Sequence, residues 1–292
     1  MDADAGPAPT ATSAAADPFA SVAAEPGAAK PDPILVADGV KRRYGGLTAV
    51  DVDHLEVQRG VITSLIGPNG AGKTTFFNLL TGFDKANEGS WTFEGKQADG
   101  LRPHQLARRG MVRTFQLTKA LARMTVLDNM LLAGREQTGE SALKSLVRPT
   151  WRAEEAANIE RAHDLLTRFK LESLADEYAA GLSGGQRKLL EMARALMTDP
   201  SLVMLDEPMA GVNPALTQSL LGHVTALRDE GMSVLFVEHD MDVIMTISDW
   251  VVCMAEGTII AEGRPADIAG NDAVIEAYLG IDHGASTTGE IR

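Results

Sequence analysis

The chain holds one cysteine, Cys253, in 292 residues. A single thiol excludes an internal disulfide and fits a reducing compartment. Its setting in Trp250-Val251-Val252-Cys253-Met254 reads as a small core residue rather than a reactive thiol. Positive charge is also short, with 27 Lys and Arg against 40 Asp and Glu and a formal net charge of −13. That balance argues against a nucleic-acid partner, which favours a basic surface. No apolar run approaches the roughly 18 residues of a membrane-spanning helix. The start has no basic stretch followed by an apolar one, so no signal peptide is expected. Sustained heptads are missing as well. These gaps describe a cytosolic chain that reaches a membrane only through a partner. Its length and its 45% hydrophobic content suffice for a sizeable core, in one large domain or two small ones.

What is there begins with Gly67-Pro68-Asn69-Gly70-Ala71-Gly72-Lys73-Thr74-Thr75. It matches G-x-x-x-x-G-K-[ST], the phosphate-cradling loop of nucleotide hydrolases. Val61 to Ile66 before it read as a buried strand, and Phe76 to Leu80 after it as a helix stopping at Gly82. Glycines let the backbone curl so that successive N–H groups point inward, and the helix adds its positive end. In this motif Lys73 reaches the β- and γ-phosphates and the Thr74 hydroxyl binds Mg²⁺.

The remaining chain supplies further polar groups at ordered positions. Residues 1 to 33 are rich in Ala, Pro, Asp and Gly, with Phe19 their only aromatic, and are expected to be disordered. Tyr44 stands ahead of the glycine loop, where an aromatic either stacks on a base or packs in a strand. Gly110 to Gln116 reads as a short strand ending in an amide, and residues 117 to 180 as helical, with Ile159, Ala162, Leu166 and Phe169 at helical spacing. Leu182-Ser183-Gly184-Gly185-Gln186 then opens a helix that Asp199-Pro200 ends. Ser183 and Gln186 have the spacing of a capping box. Two glycines weaken a first helical turn, so their use is to bring bare N–H groups to a second anion.

Leu202 to Leu205 is a buried strand running into Asp206-Glu207-Pro208, and Val234 to Val237 is another ending in Glu238-His239. Parallel strands bind ligands beyond their carboxyl ends, and the glycine loop follows such an end too. Three strands thus bring polar groups to one rim, where Asp206 holds Mg²⁺ through water and Glu207 polarises the attacking water. Asn213 and Pro214 open another helix as N-cap and first helical residue, and Gly231 ends it. Gly257 to Gly263 reads as a hairpin or terminal strand, followed by a short helix to Leu279 and a frayed tail.

Glycine loop, Gln116, Leu182-Ser183-Gly184-Gly185-Gln186, Asp206-Glu207 and His239, in this order, resemble the ATP-binding subunit of ABC transporters over about residues 34 to 280. Arg113-Thr114-Phe115-Gln116, Val237-Glu238-His239-Asp240-Met241 and Val274-Ile275-Glu276-Ala277-Tyr278-Leu279-Gly280 look like the ATPase subunit of bacterial branched-chain amino-acid importers. The resemblance implies an α/β P-loop NTPase fold, a RecA-like parallel core with an antiparallel β subdomain and an inserted α-helical subdomain. Residues 34–112 and 195–280 become the nucleotide core, 113–194 the helical subdomain and 281–292 a tail. It also implies that two copies, or this chain and a paralogue, sandwich two ATP molecules. Gly67 to Thr75 of one subunit and Ser183 to Gln186 of the other then hold one nucleotide. Tyr44 stacks on adenine, His239 contacts the γ-phosphate, and Lys73 and Glu207 complete the catalytic set. Gln116 joins both the nucleotide and the Mg²⁺ sets, and links them to the helical subdomain. Permease subunits place the chain on the inner face of the membrane and pass on solute from a binding protein outside it. A urea importer subunit is the near alternative, and a non-transport ABC ATPase the distant one. Asn213 stands where most ABC ATPases carry aspartate.

Overall fold

The computed structural model describes residues 17–114, 121–134 and 148–279. In chain order the strands are β1 (Pro33–Tyr44), β2 (Leu47–Gln58), β3 (Ile62–Ile66), β4 (Glu88–Phe93) and β5 (Lys96–Gln97). They continue as β6 (Met111–Arg113), β7 (Leu202–Asp206), β8 (Ser233–Val237), β9 (Trp250–Ala255) and β10 (Thr258–Gly263). Helices are α1 (Lys73–Leu80), α2 (Pro103–Arg108), α3 (Val126–Leu131), α4 (Arg148–Arg168) and α5 (Gly184–Leu196). After them come α6 (Pro214–Asp229), α7 (Met241–Ile247), α8 (Pro265–Ala269) and α9 (Asp272–Leu279).

Two sheets form. One is antiparallel, in the order β2-β1-β4-β5. The other runs β10-β9-β3-β8-β7-β6, parallel throughout except for the β9–β10 hairpin. All five residues of each of β3, β7 and β8 are buried, which is why these strands read as unbroken apolar runs. Side chains alternate between the faces of the sheet. Leu65, Met204, Leu235 and Val237 join α1 and the antiparallel sheet in one core. Ile62, Val203, Leu205, Val234 and Phe236 join residues of α3, α4, α5 and α6 in another. Cys253 lies in a third with Ile66, Ile244 and Val274, and burial lifts its thiol to about 11, so it is an inert core atom. Among the described residues no helix is long and apolar enough to cross a membrane.

Two expectations need correction. Residues 17–32, expected to be disordered with the rest of the first 33, are packed against the C-terminal strands. Phe19 is buried and stacks on Trp250 with ring centroids 4.6 Å apart. The Lys30 ammonium donates to Glu262 at 3.0 Å with both side chains at 0% exposure, and lies 4.6 Å from the Trp250 ring centre. Asp17 pairs with Arg264. The segment is rich in Ala, Pro, Asp and Gly, as read, but Lys30 finds its partner 232 residues away, which no local composition reveals.

Residues 117 to 180 are not one helical stretch either. Among those described, α3 and α4 are true helices, while 171–182 is built from 3₁₀ turns and a single bridge between Thr125 and Tyr178. Ala162, Leu166 and Phe169 are fully buried at helical spacing, but Ile159 is exposed and Leu165 takes the inner position.

Candidate functional site

The site is built where β3, β8 and β7, adjacent and parallel, end together. After β3 the chain turns through Gly67 to Gly72 into α1. Gly67 has φ +143°, and a Cβ there would lie 2.0 Å from the Met254 carbonyl oxygen. Gly72 has φ +98° and equally little room, 2.4 Å from the Ala49 carbonyl. Only glycine holds either position. The Lys73 ammonium folds back under this loop, donating to the carbonyls of Gly67 at 2.6 Å and Pro68 at 2.9 Å. Burial lowers its pKa below the usual lysine range, against the opposing charge of Glu207.

At the end of β7, Asp206 is buried. One carboxylate oxygen accepts from the Arg113 guanidinium at 2.6 Å, while Oδ1 is buried with no partner among the described residues. Glu207 follows at φ +47°, a left-handed conformation a non-glycine residue holds only when its surroundings impose it. Here its N–H donates to the Val237 carbonyl at 2.9 Å. Its carboxylate lies 2.5 Å from Nε2 of His239, just past the end of β8. The Glu207 carboxylate and the His239 imidazole are therefore in direct contact.

Tyr44, at the end of β1, is half exposed, so it is not the packed strand residue its sequence equally allowed. Its hydroxyl bonds Asp84, and the Arg42 guanidinium lies 4.4 Å from its ring centre. Tyr44, Asn69 to Thr75, Glu207 and His239 line one open cleft of about 730 Å³. A cleft with a glycine loop, a buried lysine, a carboxylate and an imidazole on one rim has the parts for phosphoryl transfer. The sequence relation agrees, for the ABC transporter family model matches residues 50–210. The chain belongs to the ABC transporter family.

A second family model, described as a branched-chain amino acid ATP-binding cassette transporter, matches residues 255–284. The probable branched-chain amino acid transport ATP-binding protein LivG of Archaeoglobus fulgidus is 45% identical over 247 residues, covering 85% of this chain and 95% of that one. The high-affinity branched-chain amino acid transport ATP-binding protein BraF of Pseudomonas aeruginosa is 42% identical over 250 residues, covering 85% and 98%. A crystal structure of the ADP conformation of MJ1267, an ATP-binding cassette of an ABC transporter, superposes with a TM-score of 0.74 at 40% identity, covering 85% and 99%.

In this ABC ATP-binding subunit the Ser183–Gln186 motif does not line the cleft that holds Lys73. It opens α5 elsewhere on the chain, and it does form a capping box. The Ser183 N–H donates to Gln186 Oε1 at 2.8 Å and the Gln186 N–H to Ser183 Oγ at 3.2 Å. That box leaves the N–H groups of Gly184 and Gly185 outside it. Gly185 also has a packing role, since a Cβ there would meet Leu216 of α6 at 2.0 Å. Asn213 caps α6 by accepting the Leu216 N–H at 3.0 Å, as its spacing predicts. Gln116 lies outside the described residues.

Three residues of the site escaped sequence reasoning. Arg113 reaches Asp206 and also donates to Asn78 of α1 and to Thr81 at its C-cap, tying β6, β7 and the glycine-loop helix together. Glu238 is buried and accepts the N–H groups of Met209 and His239; burial raises its pKa, and those two bonds oppose the shift. Lys188 of α5 donates to the carbonyls of Pro208 and Ala210. Between them, Glu238 and Lys188 grip the loop that carries Glu207. An acid beside His239 was visible; its inward aim was not.

Proposed function

We propose that this chain is the ATP-hydrolysing subunit of an importer for branched-chain or other hydrophobic amino acids, acting as one of a pair beneath permease subunits. The observation that carries the catalytic half is the 2.5 Å contact between Glu207 and His239 on the rim that also holds Lys73. The match of residues 255–284 to the branched-chain transporter model, together with the names of the relatives, supports the substrate class.

Each residue has a separable task. The glycine loop and Lys73 bind the β- and γ-phosphates, with Tyr44 against the base. Lys73 exchanges two backbone carbonyls for phosphate oxygens, so its charge is already held in place. Glu207 accepts a hydrogen bond from the attacking water and orients it, and His239 donates toward the γ-phosphate. The residues present fit Mg²⁺. The buried, unpartnered Oδ1 of Asp206 and the Thr74 hydroxyl, with Gln116, would hold it, directly or through water. Bound there, Mg²⁺ neutralises charge on the β- and γ-oxygens. Among the described residues no group of three His, Cys, Asp or Glu is placed to cage a metal, which suits an ion held mostly by nucleotide and water.

The α5 start would close over the nucleotide of a partner subunit, which is the use left for the Gly184 and Gly185 N–H groups. ATP then favours the paired state because it is bound from both sides, and hydrolysis removes that preference. The test is uptake of labelled leucine, isoleucine and valine, with urea alongside, in cells lacking the chain and in cells carrying Lys73→Ala. Loss of the amino-acid uptake in both, with urea uptake unchanged, is expected. Unchanged amino-acid uptake overturns the substrate class, and loss of urea uptake alone replaces it.

A further inference from the structure

The glycine loop is held from outside as well as from within. Gly67 is its first residue, and both of its backbone groups are taken. Its carbonyl accepts from Lys73, and its N–H donates to the hydroxyl of Tyr278 at 2.9 Å, 211 residues further on. Tyr278 sits in the last turn of α9, packed against the small core of Ile66, Val251, Cys253 and Val274. Ile66, the residue just before Gly67, belongs to the cluster against which Tyr278 packs, so this side chain is tied to the end of β3 by packing and to the loop by its hydroxyl. We propose that Tyr278 is a positioning residue for ATP hydrolysis, and that α9 is a clamp whose docking is linked to the state of the glycine loop.

The physical reasons are three. Gly67 stands at φ +143° with its Cα against the Met254 carbonyl, so the loop enters through a conformation with no slack. An N–H held there needs an acceptor, and the hydroxyl of Tyr278 supplies it without bringing a charge toward the phosphates. Burial raises the Tyr278 pKa, which keeps that hydroxyl protonated at neutral pH. The path is also short: Tyr278 hydroxyl, Gly67 N–H, Gly67 carbonyl, Lys73 ammonium. Anything that displaces the Tyr278 hydroxyl from Gly67 shifts the residue against which Lys73 is poised. Linkage makes this reciprocal, so nucleotide at the loop stabilises the docked helix by as much as the docked helix favours nucleotide.

This inference rests on the ATPase reading, and the test separates the two. The full chain, Tyr278→Phe and Val274→Ala are each purified and assayed with Mg-ATP. Phenylalanine keeps the packing and removes only the acceptor, whereas Val274→Ala loosens α9 without touching the hydrogen bond. For Tyr278→Phe we expect a fall in kcat of about tenfold, the factor that corresponds to about 1.4 kcal/mol and to one lost hydrogen bond. KM changes less than about threefold, and the nucleotide-free Tm stays within about 3 °C of the parent, well short of a core defect. Val274→Ala is expected to lower Tm and leave kcat nearly unchanged. Hydrogen–deuterium exchange supplies the second readout. Mg-ATP should slow exchange of the amides of 272–279 in the parent chain and have a much smaller effect in Tyr278→Phe. Parental kcat in Tyr278→Phe overturns the proposal, as does a kcat loss that Val274→Ala reproduces in proportion to its Tm. A parent chain that neither binds nor hydrolyses ATP would instead sink the ATPase reading itself.

Discussion

Glu207 sits in a strained conformation because two strands demand it. At φ +47° its N–H reaches the Val237 carbonyl while its carboxylate reaches His239. A substitution that keeps shape and removes charge therefore isolates its chemistry from its structural role. Glu207→Gln is expected to fold, to bind ATP with near-parental affinity and to lose about 10²–10⁴-fold in kcat, the usual contribution of a positioned general base. Equilibrium binding and single-turnover phosphate release measure the two parts. Turnover within a few-fold of the parent would take the catalytic role from Glu207. Sequence position alone put this residue just past a buried parallel strand, on the rim where the structure has it. It did not place Arg113, Glu238 or Lys188, whose side chains act through partners on other strands and loops. Long-range pairing leaves no period in the sequence.

At the scale of elements, the helices with caps and the strands with unbroken apolar runs were the legible ones. The boundaries of α1, α5 and α6 follow from Gly82, Ser183 and Asn213, each a local signal with a local cause. The segment before β1 was misread for the opposite reason. Phe19 and Lys30 carry it, and their partners lie on β9 and β10. Glu262 accepts from the Lys30 ammonium, the Ala28 N–H and the Trp250 indole, so its charge is fully compensated only while the segment is docked. Lys30→Met leaves that carboxylate buried without a counter-charge, and the cost is expected at about 3–5 kcal/mol. Chemical denaturation of parent and variant measures it. A change below about 1 kcal/mol, the range of an exposed pair, would mean that the segment is not held by this bridge in solution.

For the molecule as a whole, the two glycine-rich helix starts lie apart. Lys73, Glu207 and His239 share a cleft, and the α5 start does not line it. Arginine at position 183 tests whether a second subunit closes the gap. Ser183→Arg removes an N-cap, worth about 1 kcal/mol, which a domain of this size survives. It also sets a bulky side chain where the partner's phosphates would approach. ATP binding by the single subunit should persist, measured by calorimetry, while hydrolysis and ATP-driven dimerisation are lost. Parental hydrolysis in this variant would rule out the shared site. The residues alone gave the pair of glycine-rich helix starts; that they sit apart in one chain came only from the family resemblance.

That strand order also sets a timetable. β3, which leads into the glycine loop, is flanked by β8 and β9, both from the last quarter of the described chain. On a ribosome the loop is made early, yet its strand has no neighbour to pair with until Val237 and then Trp250 have emerged. The wait is entropically mild, because closing a long loop costs only logarithmically more than closing a short one. A chain that stops before β8 carries the whole glycine-loop motif but lacks both strands that flank β3.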